Sequence, residues 1–212
     1  MNYKAILIDM DGTLLPLNGI IKGIRLTCKK MKIRVLTKEE ILHKMMGYKT
    51  EEVFSKLYPE YHRDGKSFRE NYIKIYNRLK LAKIFPGVNK ILMKIHKNGY
   101  KIGIVTTKNK LTALPPIRKY KLIYDVLITE NDVKNRKPDP EPILKACKKL
   151  KVKPEECIFV GDHIFDMQAA KKAGCYPIGI LTGVGTRYRL KKAGAKKVIK
   201  DLKSLVNLLD LR

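Results

Sequence analysis

The sequence predicts an α/β protein in which a parallel β-sheet is wrapped by helices and interrupted by one all-helical insertion. Over most of the chain, short apolar runs alternate with amphipathic helical patterns, as repeating β-α units do. Residues 16–82 depart from this pattern, because helical periodicity dominates there and glycine is sparse. A length of 212 residues suits one domain with an insertion and is enough to bury a sizeable core.

The first part of the chain supplies one strand and the insertion. Residues 3–9 form an apolar run with a polar end, which predicts a buried strand. Within the insertion, a capping box at 37–40 predicts a helix that ends at Gly47, a second helix opens at Thr50, and residues 68–81 give a third. We therefore predict a core of residues 1–15 and 83–212 and a helical domain of residues 16–82.

The remaining residues predict alternating helices and strands that complete a parallel sheet. We expect helices over residues 88–98, 109–120 (broken near Pro115-Pro116), 141–150 and 166–173, a short helix after residue 181 and a closing helix at the end of the chain. We expect strands over residues 101–106, 126–128, 157–160, 178–181 and 197–199.

The composition limits the cellular location and the kinds of cysteine site that we expect for this protein. No apolar run approaches the roughly 20 residues that span a bilayer, and the first residues do not resemble a signal peptide. The four cysteines are scattered without a C-x-x-C pair, which argues against a zinc site or a disulfide framework. Cys147 and Cys157 lie in apolar patterns and are expected to be buried, inert thiols. We expect a cytoplasmic protein without a membrane partner.

The formal net charge of +26 raises the question of a nucleic-acid partner. Residues 16–82 contribute +9 of this charge and the other residues +17, so its density is nearly uniform along the chain. Lysine outnumbers arginine 36 to 10, and tryptophan is absent. A dedicated nucleic-acid site usually concentrates its charge and adds aromatic or arginine side chains, so the charge argues against such a partner.

Polar side chains follow four of the predicted strands. Asp9 and Asp11 end the first strand, where alternation along a strand predicts that both point the same way and need a cation or a shared proton. Ligands bind at the carboxyl ends of parallel strands, so these side chains are expected to share one edge of the sheet. The others are Thr106, Lys137, Asp162 and Asp166. Such a set suits Mg²⁺-assisted transfer of a phosphoryl group to an aspartate.

The chain resembles the haloacid dehalogenase superfamily of phosphohydrolases. Four motifs of that superfamily occur in order, each after an apolar strand: Asp9-Met10-Asp11-Gly12-Thr13, Thr106, Lys137-Pro138, and Gly161-Asp162 with Asp166. The resemblance covers almost the whole chain and implies a Rossmann-like core with an inserted helical cap. The position of the cap and the segment Lys137-Pro138-Asp139-Pro140 make the chain most similar to the phosphoglycolate phosphatase-like branch.

The resemblance implies a role for each motif residue. Asp9 is the expected nucleophile, and Asp11 the expected acid and base, with its backbone carbonyl touching the metal. Mg²⁺ is the implied cofactor, with Asp9, Asp11, Asp162 and Asp166 as the metal-site residues. Thr106, Thr107 and Lys137 are expected to bind the phosphoryl group, and Lys137 to offset its charge.

The implied substrate is a small phosphate ester. Dehalogenase members lack the second aspartate, so Asp11 favours a phosphatase, and phosphoglycolate is the leading candidate. Thr107, His163 and Pro16-Leu17 depart from the pattern commonest in this branch, which leaves that substrate open. The alternatives are a β-phosphoglucomutase-like phosphotransferase, a pyrophosphatase or nucleotidase and, outside enzymes, a receiver-like or nucleic-acid-binding protein.

Overall fold

A computed structural model describes residues 3–210 of the chain. The chain divides into two compact units. Residues Leu17–Lys83 form a helical unit, and the residues before Leu17 together with those from Ile84 onward form a unit built around a sheet.

The sheet unit contains six parallel strands in the order β3-β2-β1-β4-β5-β6. The strands are β1 (Ala5–Ile8), β2 (Lys101–Val105), β3 (Val126–Ile128), β4 (Cys157–Gly161), β5 (Tyr176–Ile180) and β6 (Lys197–Ile199). All four residues of β1 are buried, as expected for a central parallel strand covered on both faces. This order is that of the Rossmann fold, and the predicted α/β class is confirmed.

Helices connect these strands. Their numbers start at α5, because the four helices of the insertion come first in the chain. Their bounds are Val88–Lys97 (α5), Lys110–Tyr120 (α6), Glu141–Leu150 (α7), Ile164–Ala173 (α8), Arg187–Lys192 (α9) and Leu202–Leu208 (α10). On one side of the sheet, apolar residues of α7 and α8 pack against strand residues such as Leu7, Val105 and Phe159. This packing fixes the carboxyl ends of the central strands relative to one another.

The helical unit holds α1 (Asn18–Lys30), α2 (Lys38–Glu40), α3 (Thr50–Leu57) and α4 (Gly65–Arg78). The predicted capping box is present: the Thr37 hydroxyl accepts from the Glu40 N–H, and the Glu40 carboxylate accepts from the Thr37 N–H. Phe54 packs between Tyr58 and Phe68, with ring centroids 4.9 and 4.7 Å away. These aromatic contacts join α3 to α4.

Several predicted elements were wrong in detail. The helix expected over residues 68–81 spans Gly65–Arg78, and Leu79, expected in its apolar stripe, is 45% exposed. The helix after the capping box continues as a π-helix, Ile41–Met45, and α1 had not been predicted as a separate helix. Helix α6 runs unbroken through Pro115-Pro116, because the buried Ala113, Pro116 and Ile117 hold this segment against the core.

Among residues 3–210, no helix is both long enough and apolar enough to cross a membrane.

Candidate active site

The candidate site lies at the topological switch point of the sheet, between β1 and β4, where the later strands are added on the other side of β1. Strand β1 pairs with β2 on one side and β4 on the other, and ligands bind at such a switch point, outside the carboxyl ends of the strands. Asp9 follows β1 directly, and its N–H donates to the Val160 carbonyl at 2.9 Å. Asp162 follows β4 in the same way. The register of the two strands therefore brings these carboxylates to one buried edge.

Lys137 enters this edge from the loop between β3 and α7. Its Nζ lies 2.6 Å from Asp9 Oδ1, 2.5 Å from Asp166 Oδ1 and 3.2 Å from the Val105 carbonyl oxygen, and Lys137 is only 4% exposed. The Glu141 carboxylate fixes this loop by accepting from the N–H groups of Lys134 and Asn135, both at 2.8 Å. A loop lysine thus becomes a preorganised positive charge among carboxylates.

Asp166 lies in the first turn of α8 and has two partners. Oδ1 accepts from Lys137, and Oδ2 accepts from the His163 N–H at 2.9 Å. His163 in turn caps the helix, because its Nδ1 accepts from the Phe165 N–H at 3.2 Å. This cap starts α8 at Ile164, two residues before the predicted start, and holds the Asp166 carboxylate in the site.

Asp162 is enclosed by backbone. Its Oδ2 accepts from the Val184 N–H at 2.8 Å, and its carbonyl oxygen accepts from the Gly185 N–H at 2.9 Å. A Cβ at Gly12 or at Gly183 would overlap the Asp162 carboxylate. The two glycines are therefore required sterically for this carboxylate to occupy its place.

The buried carboxylates carry more negative charge than the lysine offsets. Oxygens of Asp9, Asp162 and Asp166 lie within 4.8 Å of one another, and all three residues are buried. Burial raises the pKa of Asp9 to about 7, and burial together with the neighbouring carboxylates raises the pKa of Asp162 well above its usual range. Burial opposes the charge of Lys137, but Asp166 and Asp9 outweigh it and raise the Lys137 pKa.

This donor set fits a hard divalent cation. Crowded, buried carboxylate oxygens gain most from a positive ion, and Mg²⁺ prefers such oxygen ligands. The carboxylate of Asp11 does not belong to this group, because both of its oxygens face Lys108 Nζ, at 3.0 and 3.2 Å. The side chains of Asp9, Asp162 and Asp166 are thus brought together, and that of Asp11 is held beside them by a different partner.

The other predicted site residues lie just after the ends of β1 and β2. Strand β1 ends at Ile8, before both aspartates. The N–H of Asp9 still bonds to β4, whereas Asp11 lies beyond the strand. Thr106 follows β2 and is 4% exposed, and its hydroxyl accepts from the Lys108 N–H at 3.1 Å. Thr107, the next residue, is half-buried at the same strand end.

Sequence reasoning missed two parts of this site. Lys108 is 8% exposed and pairs with Asp11, but one lysine among 36 gave no signal without its spatial neighbour. The loop after β5 was also missed, although the glycines at 183 and 185 after a buried strand were an available signal. In this loop, the Thr182 hydroxyl donates to the Gly12 carbonyl at 2.5 Å. This hydrogen bond connects the turn after β1 to the loop after β5.

Fold and site together define an enzyme with a Rossmann-like core whose acidic centre lies at the carboxyl edge of the sheet. The chain belongs to the family of haloacid dehalogenase-like hydrolases, whose family model matches residues 6–180. The resemblance to this superfamily and the prediction of a hydrolytic enzyme are confirmed.

Individual relatives agree with this assignment. A protein named Pyrophosphatase PpaX from Anoxybacillus flavithermus is 32% identical over 99% of this chain and 98% of its own length. A putative haloacid dehalogenase-like hydrolase from Bacteroides fragilis superposes with a TM-score of 0.85 at 29% identity, over 96% of this chain and 99% of its own. A predicted phosphoglycolate phosphatase from Haemophilus somnus shares the fold, with a TM-score of 0.88 at 19% identity, over 99% of both chains.

Proposed function

We propose that the protein is a Mg²⁺-dependent phosphatase that acts on a small phosphate-bearing metabolite through an aspartyl-phosphate intermediate. The observation that carries the proposal is the contact of Lys137 Nζ with both Asp9 and Asp166 inside a buried acidic cluster. A fixed ammonium beside a carboxylate nucleophile can stabilise charge on a transferring phosphoryl group.

The proposed reaction has two steps. A carboxylate oxygen of Asp9 attacks phosphorus, the bond from phosphorus to the leaving oxygen breaks, and Asp11 gives that oxygen a proton. In the second step, water attacks phosphorus while Asp11 takes a proton from it, and the bond to Asp9 breaks to release phosphate. Thr106 and Thr107 would donate hydrogen bonds to the phosphoryl oxygens.

The same residues are proposed to hold the metal. Asp9 and Asp162, with Asp166 beside them and the backbone carbonyl of Asp11, would bind Mg²⁺. When bound, Mg²⁺ would offset the negative charge of the phosphoryl group and of Asp9. Asp166 would in addition keep Lys137 in position, as its 2.5 Å contact with Nζ supports.

The leading substrate is pyrophosphate, because the name of the 32% identical relative specifies a pyrophosphatase. Phosphoglycolate, favoured by the motifs alone, stays a prediction beside it. The helical unit, Leu17–Lys83, follows the first motif in the chain, and we propose that it acts as a cap that selects the substrate. The cytoplasmic location also stays a prediction.

The test measures phosphate release from pyrophosphate, phosphoglycolate, sugar phosphates, nucleotides and an aryl phosphate, with Mg²⁺ and with EDTA. Release should need Mg²⁺ and should disappear in Asp9→Asn. The matched control is Asp210→Asn, which makes the same change at an exposed carboxylate and should release phosphate like the wild type.

Each outcome discriminates between candidate functions. A strong preference for pyrophosphate or for phosphoglycolate would identify the substrate. Transfer of phosphate between hydroxyls of a sugar phosphate, with little release, would indicate a phosphotransferase like the β-phosphoglucomutases. Full Mg²⁺-dependent release by Asp9→Asn would overturn the proposed nucleophile.

A further inference from the structure

Three cysteines that are scattered in the sequence meet inside the sheet unit. The Sγ atoms of Cys147, Cys157 and Cys175 all lie within 4.8 Å of one another, and Cys147 and Cys157 Sγ are 3.6 Å apart. All three are reduced and buried, with exposures of 2%, 0% and 5%. The predicted burial of Cys147 and Cys157 is confirmed, but neither the burial of Cys175 nor the three-thiol cluster was predicted from the sequence.

The cluster lies at the edge of the sheet opposite to the acidic centre. Cys157 is the first residue of β4 and Cys175 precedes the first residue of β5, whereas Asp162 follows the last residue of β4. A strand rises about 3.3 Å per residue, so Cys157 and Gly161 are separated by about 13 Å along β4. The thiols therefore take no part in the proposed phosphatase chemistry.

We propose that Cys147, Cys157 and Cys175 form a three-thiolate binding site for a soft d¹⁰ metal ion, Zn²⁺ or Cu⁺. This inference goes beyond the proposed phosphatase function and does not depend on it. Thiolate sulfur is the donor that selects these ions over Mg²⁺. The three-thiol cluster draws its donors from α7, β4 and the turn before β5, so these elements fix the spacing of the sulfurs.

The sulfur spacing fits such an ion. Metal–sulfur bonds to Zn²⁺ are about 2.3 Å long, so three sulfurs placed symmetrically around one ion are about 4.0 Å apart. One separation in the protein is 3.6 Å and all three are within 4.8 Å, which is compatible with this value.

Binding would need no oxidant. Each thiol loses its proton to solvent as its sulfur bonds to the metal, so the affinity should rise with pH. Three thiolates with Zn²⁺ carry a net charge of −1, and with Cu⁺ a net charge of −2. The three thiols belong to a buried hydrophobic core cluster, which disfavours the larger charge, whereas three-coordination suits Cu⁺.

Cys28 provides the comparison within the same chain. It is buried to the same degree, but it lies in the helical unit, where its Sγ is 3.4 Å from the Tyr58 hydroxyl. A buried cysteine of this kind packs as a small apolar side chain. Cys28→Ala therefore removes a buried thiol without touching the three-thiol cluster.

The experiment uses the full reduced chain under argon with excess Mg²⁺. Zn²⁺ is added in one arm and Cu⁺, buffered by a chromophoric chelator, in the other. We expect one ion per chain after gel filtration, and a rise of the melting temperature with the free concentration of the ion. Cys157→Ala should weaken binding at least 100-fold, and Cys28→Ala should bind like the wild type. Phosphate release should be unchanged in both variants.

The two arms identify the ion, since tight binding in only one of them assigns the site to Zn²⁺ or to Cu⁺. If Cys157→Ala does not fold, as judged by its circular dichroism melt, Cys175→Ala tests the same site. Equal affinity in the wild type and the cysteine variant, or no ion retained by the wild type in either arm, would overturn the proposal and leave the thiols a packing role only.

Discussion

Lys137 Nζ lies 2.6 Å from Asp9 Oδ1, although the two residues are 128 positions apart in the chain. Both side chains are buried, with exposures of 4% and 9%, so water does little to weaken their attraction. The same Nζ contacts Asp166, which completes a buried group of one positive and two negative side chains. The ammonium is attracted to both carboxylates, so it holds the three side chains together in the interior.

Lys137→Ala should lower kcat by about 30- to 1000-fold, or about 2–4 kcal/mol of transition-state stabilisation, because it removes a preorganised charge. The measurement is phosphate release at saturating Mg²⁺. Lys149→Ala, at an exposed position of α7, is the matched control and should behave like the wild type. A loss smaller than tenfold would contradict the role assigned to Lys137.

Lys108→Met should lower kcat/KM by roughly tenfold or more, because general acid–base catalysis by Asp11 depends on the position of its carboxylate. Methionine keeps the apolar stem but removes the ammonium that contacts both oxygens of Asp11. Lys90→Met, an exposed lysine on α5, is the control. An unchanged kcat/KM together with a lowered melting temperature would limit Lys108 to a structural role.

Gly183→Ala should raise the Mg²⁺ concentration needed for half-maximal activity. The added Cβ would overlap the Asp162 carboxylate and displace it from the proposed metal site. Gly99→Ala is an informative control, because its Cβ would meet nothing within 4 Å and its positive φ of 83° causes backbone strain alone. If both variants lose stability and neither changes the Mg²⁺ requirement, Asp162 does not bind the metal.

Asp132 should stabilise the fold at neutral pH and lose this effect in acid. Burial opposes its charge, but hydrogen bonds from Thr129 and the ion pair with Lys110 outweigh it and lower the Asp132 pKa to about 2. A carboxylate with a lowered pKa in the folded state contributes its full stability above its unfolded pKa of about 4 and loses it as the pH falls toward 2.

Urea unfolding of the wild type and Asp132→Asn at several pH values measures this effect. The difference in the free energy of unfolding should be constant above about pH 5 and should shrink between about pH 4 and pH 2. A difference that does not change over this range would show that the Asp132 charge is not stabilising.

The sequence by itself determined the α/β class, the parallel strands and the motif residues at their ends. These features depend on local patterns, and the spans Val126–Ile128, Glu141–Leu150 and Lys197–Ile199 match the predicted elements. Where a helix start depended on a cap outside the apolar pattern, as at His163, the predicted boundary was wrong by two residues.

Only the tertiary structure decided which side chains meet. The strand order β3-β2-β1-β4-β5-β6 places Asp9 beside Asp162, joins Lys108 to Asp11 and gathers the three-thiol cluster at the opposite edge of the sheet. These contacts link residues that are far apart in the chain, and no local periodicity encodes them. They follow from the burial of the sheet between its helices, which fixes the strand register and with it the chemistry of each edge.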